Sequence, residues 1–441
     1  MQSVGQDTIC ALASGQLPSG IAIVRISGPR TRFVVETICG SIGEARKAVI
    51  RTFCSASGEI LDRGISIWFP EGASFTGEAY AELHLHGGLA VVSSVLDCLV
   101  GFDSVRLADA GEFTMRAFLN GKIDLTEAEA LADLVDAETE EQRKFAISNT
   151  SGRHRLLYDS WRDRVVDCLA EMTSMIDFAD EDDVIAEMDP GKFSDILLLA
   201  EEIESHVKRS RIGEILRRGF RIAIVGKPNV GKSSLLNALL KRDAAIVTDV
   251  PGTTRDVIEA ALDLNGYKVV LFDTAGIHET EDAVERIGIE RAIEKARTAN
   301  LVLHLCEHGT GADSDIALQF DVPVIRVGTK SDHGAGCSKE GFDVVISTVT
   351  PEGLDRLLEM ISNHVSGMAG EPEIMPFRQR HSELLTAAGE CLDRAAGIEL
   401  DDIELKAELL RQAATSLGRI TGRVDVEDLL DVIFSRFCVG K

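Results

Sequence analysis

Residues Gly226 to Ser233 read GKPNVGKS, a G-x-x-x-x-G-K-[ST] spacing set between a buried-strand run, RIAIVG, and a helix-forming run, SSLLNALL. Phosphate suits such a loop. Its glycines, Gly226 and Gly231, let backbone N–H groups through Asn229, Val230 and Ser234 curl around an anion, and the helix start adds its positive end. Lys232 reaches the β and γ phosphates, and the Ser233 hydroxyl can ligate Mg²⁺.

Two further segments belong to the same chemistry. Asp273-Thr274-Ala275-Gly276 ends the strand-like VVLF, which puts a carboxylate at the phosphate end of a sheet and a glycine N–H near a γ-phosphate. Within TDVPGTTRD, which begins at Thr248, Thr254 supplies a second hydroxyl on the Mg²⁺ side. The order of these pieces predicts a nucleotide switch that senses the γ-phosphate. Base choice falls to Thr329-Lys330-Ser331-Asp332, similar to the N-K-x-D box of GTPases with Thr in place of Asn. Asp332 keeps the carboxylate that accepts from the guanine ring N–H and amine, so GTP is expected over ATP. Ser347-Thr348 is expected as the last base loop. Ile277 follows the D-x-x-G box where many small GTPases carry a water-orienting Gln, so another group must orient the water.

These loops need a scaffold, and the hydrophobic pattern predicts one in four segments. Residues 1–121 read as short strands (Ile21 to Ile26, Ile65 to Phe69) with Glu82, His84 and His86 alternating against Ala81, Leu83 and Leu85, plus a helix from Leu89 to Val100. Residues 122–215 turn helical, with Leu125, Ala128, Leu131 and Val135 on one face. Residues 216–370 alternate strand and helix, which predicts an α/β domain with a mainly parallel sheet. Residues 371–441 return to helical spacing and are expected to join 122–215 as one discontinuous helical domain.

The chain of 441 residues carries 72 acidic and 46 basic side chains, a net charge of −26, which argues against a module that coats nucleic acid by phosphate neutralisation. From Thr126 to Glu202 there are 21 acidic and 7 basic residues, a net of −14, expected as a solvated helix face. Nine scattered cysteines include no Cys-x-x-Cys pair, which reads as reduced thiols. With no signal-like start and no run of 18 apolar residues, a cytoplasmic protein without a membrane span is expected. His84 and His86 share a strand face, but no third ligand has suitable spacing for a metal.

Over nearly its full length the sequence resembles the MnmE (TrmE) family of tRNA-modifying GTPases. The resemblance is carried by DTICALAS, IVRISGP, FTGEAYAELHLHGG, GEFTMRAFLNGKIDLTEAEALADL, IVTDVPGTTRD, ERIGIERA and the terminal FCVGK. It implies an N-terminal domain that binds folate and dimerises, a split helical domain and an inserted Ras-like P-loop GTPase domain. It further implies K⁺ held by Asn229 with carbonyls of Thr248, Val250 and Thr253, and Glu285 as the group orienting water. Folate contacts are implied at Arg25, Glu82, Lys122 and Lys441, and a chemical role for Cys438 is left open. The implied reaction modifies carbon 5 of the wobble uridine in tRNA with a carbon from a tetrahydrofolate derivative, in the 5,10-methylene or 5-formyl form. An MnmG-like partner carrying FAD completes a heterotetramer with the homodimer, and tRNA is expected to bind largely through that complex. Two other readings are a ribosome-assembly GTPase and a folate-dependent transferase with a regulatory GTP site. The tail from Phe377 onward, helical in its spacing and not strongly basic, disfavours the first.

Overall fold

The structure is a computed structural model. It describes residues 7–177, 190–227, 229–241, 245–246, 259–273, 298–308, 322–333, 341–350, 353–368, 374–398, 402–424, 430, 433–435, 437 and 439–440. The chain forms two compact units: Met1–Ala132, Asn149–Leu197 and Glu390–Lys441 make the first, Asp133–Ser148 and Leu198–Gly389 the second. Among the described residues no helix is long and apolar enough to cross a membrane.

The first unit holds a six-stranded sheet of β1 (Thr8–Leu12), β2 (Ser19–Ser27), β3 (Val49–Cys54), β4 (Ile60–Phe69), β5 (Tyr80–Gly87) and β6 (Val105–Leu107), in the order β3-β4-β5-β2-β1-β6. Every pairing is antiparallel except that of β1 with β6. Period-two alternation sorts the faces: Ala22, Val24 and Ile26 of β2 and Ala81, Leu83 and Leu85 of β5 are buried. Helices Thr31–Cys39 and Leu89–Val100 cover that apolar face with Val34, Val35 and Ile38, and with Val92, Val95 and Leu99, at helical spacing. Arg25, Glu82 and His84 therefore lie on the opposite face.

A buried ion network fixes helix Glu112–Leu119 to this sheet. Arg116, fully buried, donates to Glu112 (2.9 Å), Asp7 (2.8 Å) and Glu78 (3.2 Å). Arg106 donates to both Glu112 oxygens at 2.6 and 2.8 Å. Burial alone would raise the Glu112 carboxyl, but hydrogen bonds from Arg106, the Asp109 N–H and Arg116 outweigh it and hold the group below its ordinary range. The same unit contains the long helix Arg153–Asp177, whose Tyr158, Trp161, Val165, Cys168 and Met172 are buried at steps of three and four, packed along helix Ile403–Thr421.

The second unit is built on a seven-stranded sheet: β7 (Phe220–Gly226), β8 (Ala245–Ile246), β9 (Glu259–Leu264), β10 (Tyr267–Asp273), β11 (Leu301–Glu307), β12 (Val324–Thr329) and β13 (Val344–Val345). The order is β13-β12-β11-β7-β10-β9-β8, parallel from β13 to β10, with β9 and β8 added antiparallel at one edge. Strand order reverses at β7, the switch point of such sheets, and the phosphate loop leaves its carboxyl end. Helices Lys232–Leu240 and Leu354–Met368 seal the core with Leu235, Leu236, Leu239, Leu357, Ile361 and Val365. The β9–β10 hairpin was not read from the sequence. Its signal was there: Asn265-Gly266, at φ 55° and 87°, separates EAALDL from YKVVLFD.

Candidate functional site

The phosphate loop is shaped by two backbone demands. A Cβ on Gly226 would sit 2.5 Å from the Leu305 carbonyl oxygen, so β7 can run beside β11 at this point only with glycine. Asn229 (φ 61°) and Gly231 (φ 104°) both adopt left-handed conformations, which curl the loop into a nest. Gly231 caps helix Lys232–Leu240 without a side-chain capping bond, the arrangement of helix N-termini that take anions. Lys232 folds over the loop, 7% exposed, its Nζ donating to the carbonyls of Gly226 (2.9 Å) and Lys227 (3.0 Å). Ser233 and Ser234 follow in the first turn. Asp273 closes β10 in register with Ile224, at the same end of the sheet. Cradle, cation and hydroxyl fit a nucleotide triphosphate with Mg²⁺.

The two loops expected to meet the base lie at the ends of β12 and β13. Thr329, 2% exposed, donates its hydroxyl to the carbonyl of Val230 at 2.7 Å, with the Cys306 carbonyl at 3.2 Å. The loop then turns through Lys330 (φ 58°), whose Nζ lies 3.2 Å from Glu307. Ser347, fully buried, donates to Asp332 Oδ1 at 2.8 Å while accepting from the N–H groups of Val349 and Thr350. That bond ties Asp332 to the Ser347-Thr348 loop and fixes the orientation of its carboxylate. Sequence reasoning missed both ties, since each joins segments far apart in the chain.

On the first unit's polar face, Arg25 of β2 stands opposite Glu82 of β5 in register. Arg25 Nε is buried without a hydrogen bond, 3.6 Å from Glu82 Oε1, while Nη1 donates to the Gly440 carbonyl at 3.2 Å. Tyr80 donates to Glu82 Oε1 at 3.1 Å, its phenol pushed up by burial, and His84 Nε2 lies 3.2 Å from Oε2. An orphaned guanidinium nitrogen beside a carboxylate suits a ligand carrying both donor and acceptor groups, so the residues present fit a folate. Lys122 makes its bond elsewhere, to the Gly72 carbonyl at 2.6 Å. His86 pairs with Asp62 at 2.8 Å, and among the described residues no group of three metal-ligating side chains forms.

Several expected site residues lie outside the described residues: Thr248, Val250, Thr253, Thr254, Thr274, Ala275, Gly276, Ile277 and Glu285 around the nucleotide, and Cys438 and Lys441 at the terminus. A cavity of about 450 Å³ in the second unit is lined by Asp133, Glu138, Arg217, Arg221 and Lys268 among others. It opens beside the starts of β7 and β10, away from the phosphate loop. Lys268 pairs there with Glu138 (2.6 Å) and Arg217 with Asp133 (3.6 Å), so part of its charged lining is already matched.

Residues 8–122 match the family described as GTP-binding protein TrmE N-terminus, and residues 125–438 match the MnmE helical domain. The tRNA modification GTPase MnmE of Chelativorans sp. (strain BNC1) is 52% identical over 99% of this chain and 98% of its own. That of Mesorhizobium japonicum is also 52% identical, over 99% of this chain and 100% of its own. Among solved structures, an Era variant from Aquifex aeolicus bound to GDP and AlF4⁻ aligns with 39% of this chain and 66% of its own, at 26% identity and a TM-score of 0.25.

Proposed function

The chain belongs to the MnmE (TrmE) family of tRNA modification GTPases, and from that membership we propose that its GTP hydrolysis is the K⁺-dependent switch of a complex that modifies carbon 5 of the wobble uridine. The observation that carries the reading is the joined nucleotide site: a phosphate loop at Gly226–Ser233 bonded through Val230 to Thr329, with Asp332 oriented by Ser347. That arrangement supports a triphosphate at one end and a guanine at the other.

Lys232 exchanges its two loop carbonyls for the β and γ phosphates as nucleotide enters, so the amine stays hydrogen-bonded throughout. Asp332 accepts from the guanine donors. Glu285 takes a hydrogen bond from the attacking water, a task that Ile277 cannot perform. Mg²⁺ at Ser233 and Thr254, and K⁺ at Asn229 with the carbonyls of Thr248, Val250 and Thr253, would supply positive charge where it develops in the transition state. Thr274, Ala275 and Gly276 follow the γ-phosphate.

Arg25 and Glu82 hold the folate in this reading, with Lys122 and Lys441 for its anionic tail; the tetrahydrofolate derivative would supply the added carbon. A homodimer joined to an MnmG-like FAD-dependent partner completes the cytoplasmic complex. The net charge of −26 supports a division of labour in which tRNA phosphates are met largely by the partner.

Turnover of GTP by the purified chain, measured in K⁺ and in Na⁺ with ATP as competitor, tests this reading. Fast hydrolysis in K⁺, slow hydrolysis in Na⁺ and no competition by ATP are expected. Equal turnover in both salts would remove the cation from the mechanism, and competition by ATP as effective as GTP would remove the guanine reading.

A further inference from the structure

We propose that this chain recognises guanine without a hydrogen bond from position 329 to N7, because Thr329 spends its single proton holding the base loop to the phosphate loop. The inference rests on the GTP-binding reading and deepens it.

Guanine presents donors, the ring N1–H and the exocyclic amine, on one edge and the acceptors N7 and O6 on another. An Asn side chain at position 329 would bring two N–H donors, enough to satisfy one backbone carbonyl and still offer a proton to the base. A Thr hydroxyl brings one. Here that oxygen lies 2.7 Å from the Val230 carbonyl and 3.2 Å from the Cys306 carbonyl, and both neighbours can only accept. The residue is 2% exposed, so water does not share the site, and moving the proton to a ligand would leave a buried carbonyl to be satisfied anew. Thr329 is therefore a positioning residue: it fixes Val230, the residue ahead of Gly231 and Lys232, relative to the end of β12.

Discrimination then rests on the donor edge. Asp332 is suited to carry it alone, because Ser347 orients its carboxylate at 2.8 Å and is itself anchored by the Val349 and Thr350 N–H groups at 3.1 Å each. The consequence is specific: a guanine analogue lacking N7 should bind as well as guanine, while one lacking the amine should not.

Equilibrium binding of GTP, 7-deaza-GTP and inosine triphosphate to the full chain, to Thr329→Asn and to Thr329→Val tests this. For the unaltered chain, 7-deaza-GTP should bind within about twofold of GTP, and inosine triphosphate should bind roughly tenfold more weakly, as expected for losing a hydrogen bond to a carboxylate. Thr329→Asn should create a preference for GTP over 7-deaza-GTP of several-fold. Thr329→Val should weaken both equally, a pattern that loss of fold would not produce in the Asn variant. A fivefold or greater preference of the unaltered chain for GTP over 7-deaza-GTP would overturn the proposal while leaving the GTPase reading intact. No measurable GTP binding would overturn both.

Discussion

The carbonyl oxygen of Gly440 accepts a hydrogen bond from Arg25 Nη1 at 3.2 Å, joining the end of the chain to a strand 415 positions earlier. Val439 bridges to Ala110 alongside it, so Val439 and Gly440 of the terminal FCVGK box are seated beside the Arg25–Glu82 pair. Residues remote in sequence thus meet on the N-terminal sheet.

That seat depends on glycine. Gly440 has φ 93°, and an added Cβ would meet the Leu12 carbonyl oxygen at 2.1 Å. Gly440→Ala should displace the terminal residues and weaken binding of 5-formyl-tetrahydrofolate by roughly tenfold or more, the scale of losing a charge-assisted hydrogen bond and its geometry. Equilibrium binding to the purified variant checks it. Unchanged affinity would separate the terminus from the proposed folate site.

The Arg106–Glu112–Arg116–Asp7 network predicts acid lability. Burial would raise the carboxyls of Glu112 and Asp7, yet hydrogen bonds from Arg106 and Arg116 leave both below their ordinary values of 4.5 and 3.8. Groups depressed in the folded state contribute their full stability above those ordinary values and lose it as pH falls below them. The melting temperature of the first unit should therefore drop as pH falls from about 5 toward 3, and Glu112→Gln should reduce that slope. An unchanged slope would place the acid sensitivity elsewhere. Arg116→Ala should cost about 3 kcal/mol, because it removes the buried cation shared by Glu112, Asp7 and Glu78 and leaves Arg106 alone to neutralise the first two.

Glu285→Ala should lower kcat by roughly 10²-fold or more with GTP affinity near that of the unaltered chain, the signature of a group that acts on water in the transition state. Single-turnover hydrolysis with a separate nucleotide-binding titration distinguishes the two. Wild-type turnover would remove Glu285 from the mechanism.

Local patterns made much of this molecule legible. The strand–loop–helix around GKPNVGKS, helix Leu89–Val100 and the face shared by Glu82 and His84 follow from period and turn chemistry alone. Glu112 and Arg116 stand four apart on one helix, a spacing the sequence reading did not single out, and nothing local disclosed that Asp7, Glu78 and Arg106 converge on them. The same holds for Thr329. Its departure from Asn was readable, whereas its bond to Val230 arises only because β11 lies between β12 and β7 and brings 329 and 230 to the carboxyl end of the parallel strands.

The account's central claim is that hydrolysis by this chain drives wobble-uridine modification, and mass spectrometry of wobble nucleosides in tRNA tests it most directly. A strain lacking the protein should lose the carbon-5 aminomethyl-type uridines, regain them with the unaltered chain, and fail to regain them with Glu285→Ala present at equal abundance. Persistence of those nucleosides in the deletion strain, or full restoration by a variant with abolished GTP turnover, would contradict it.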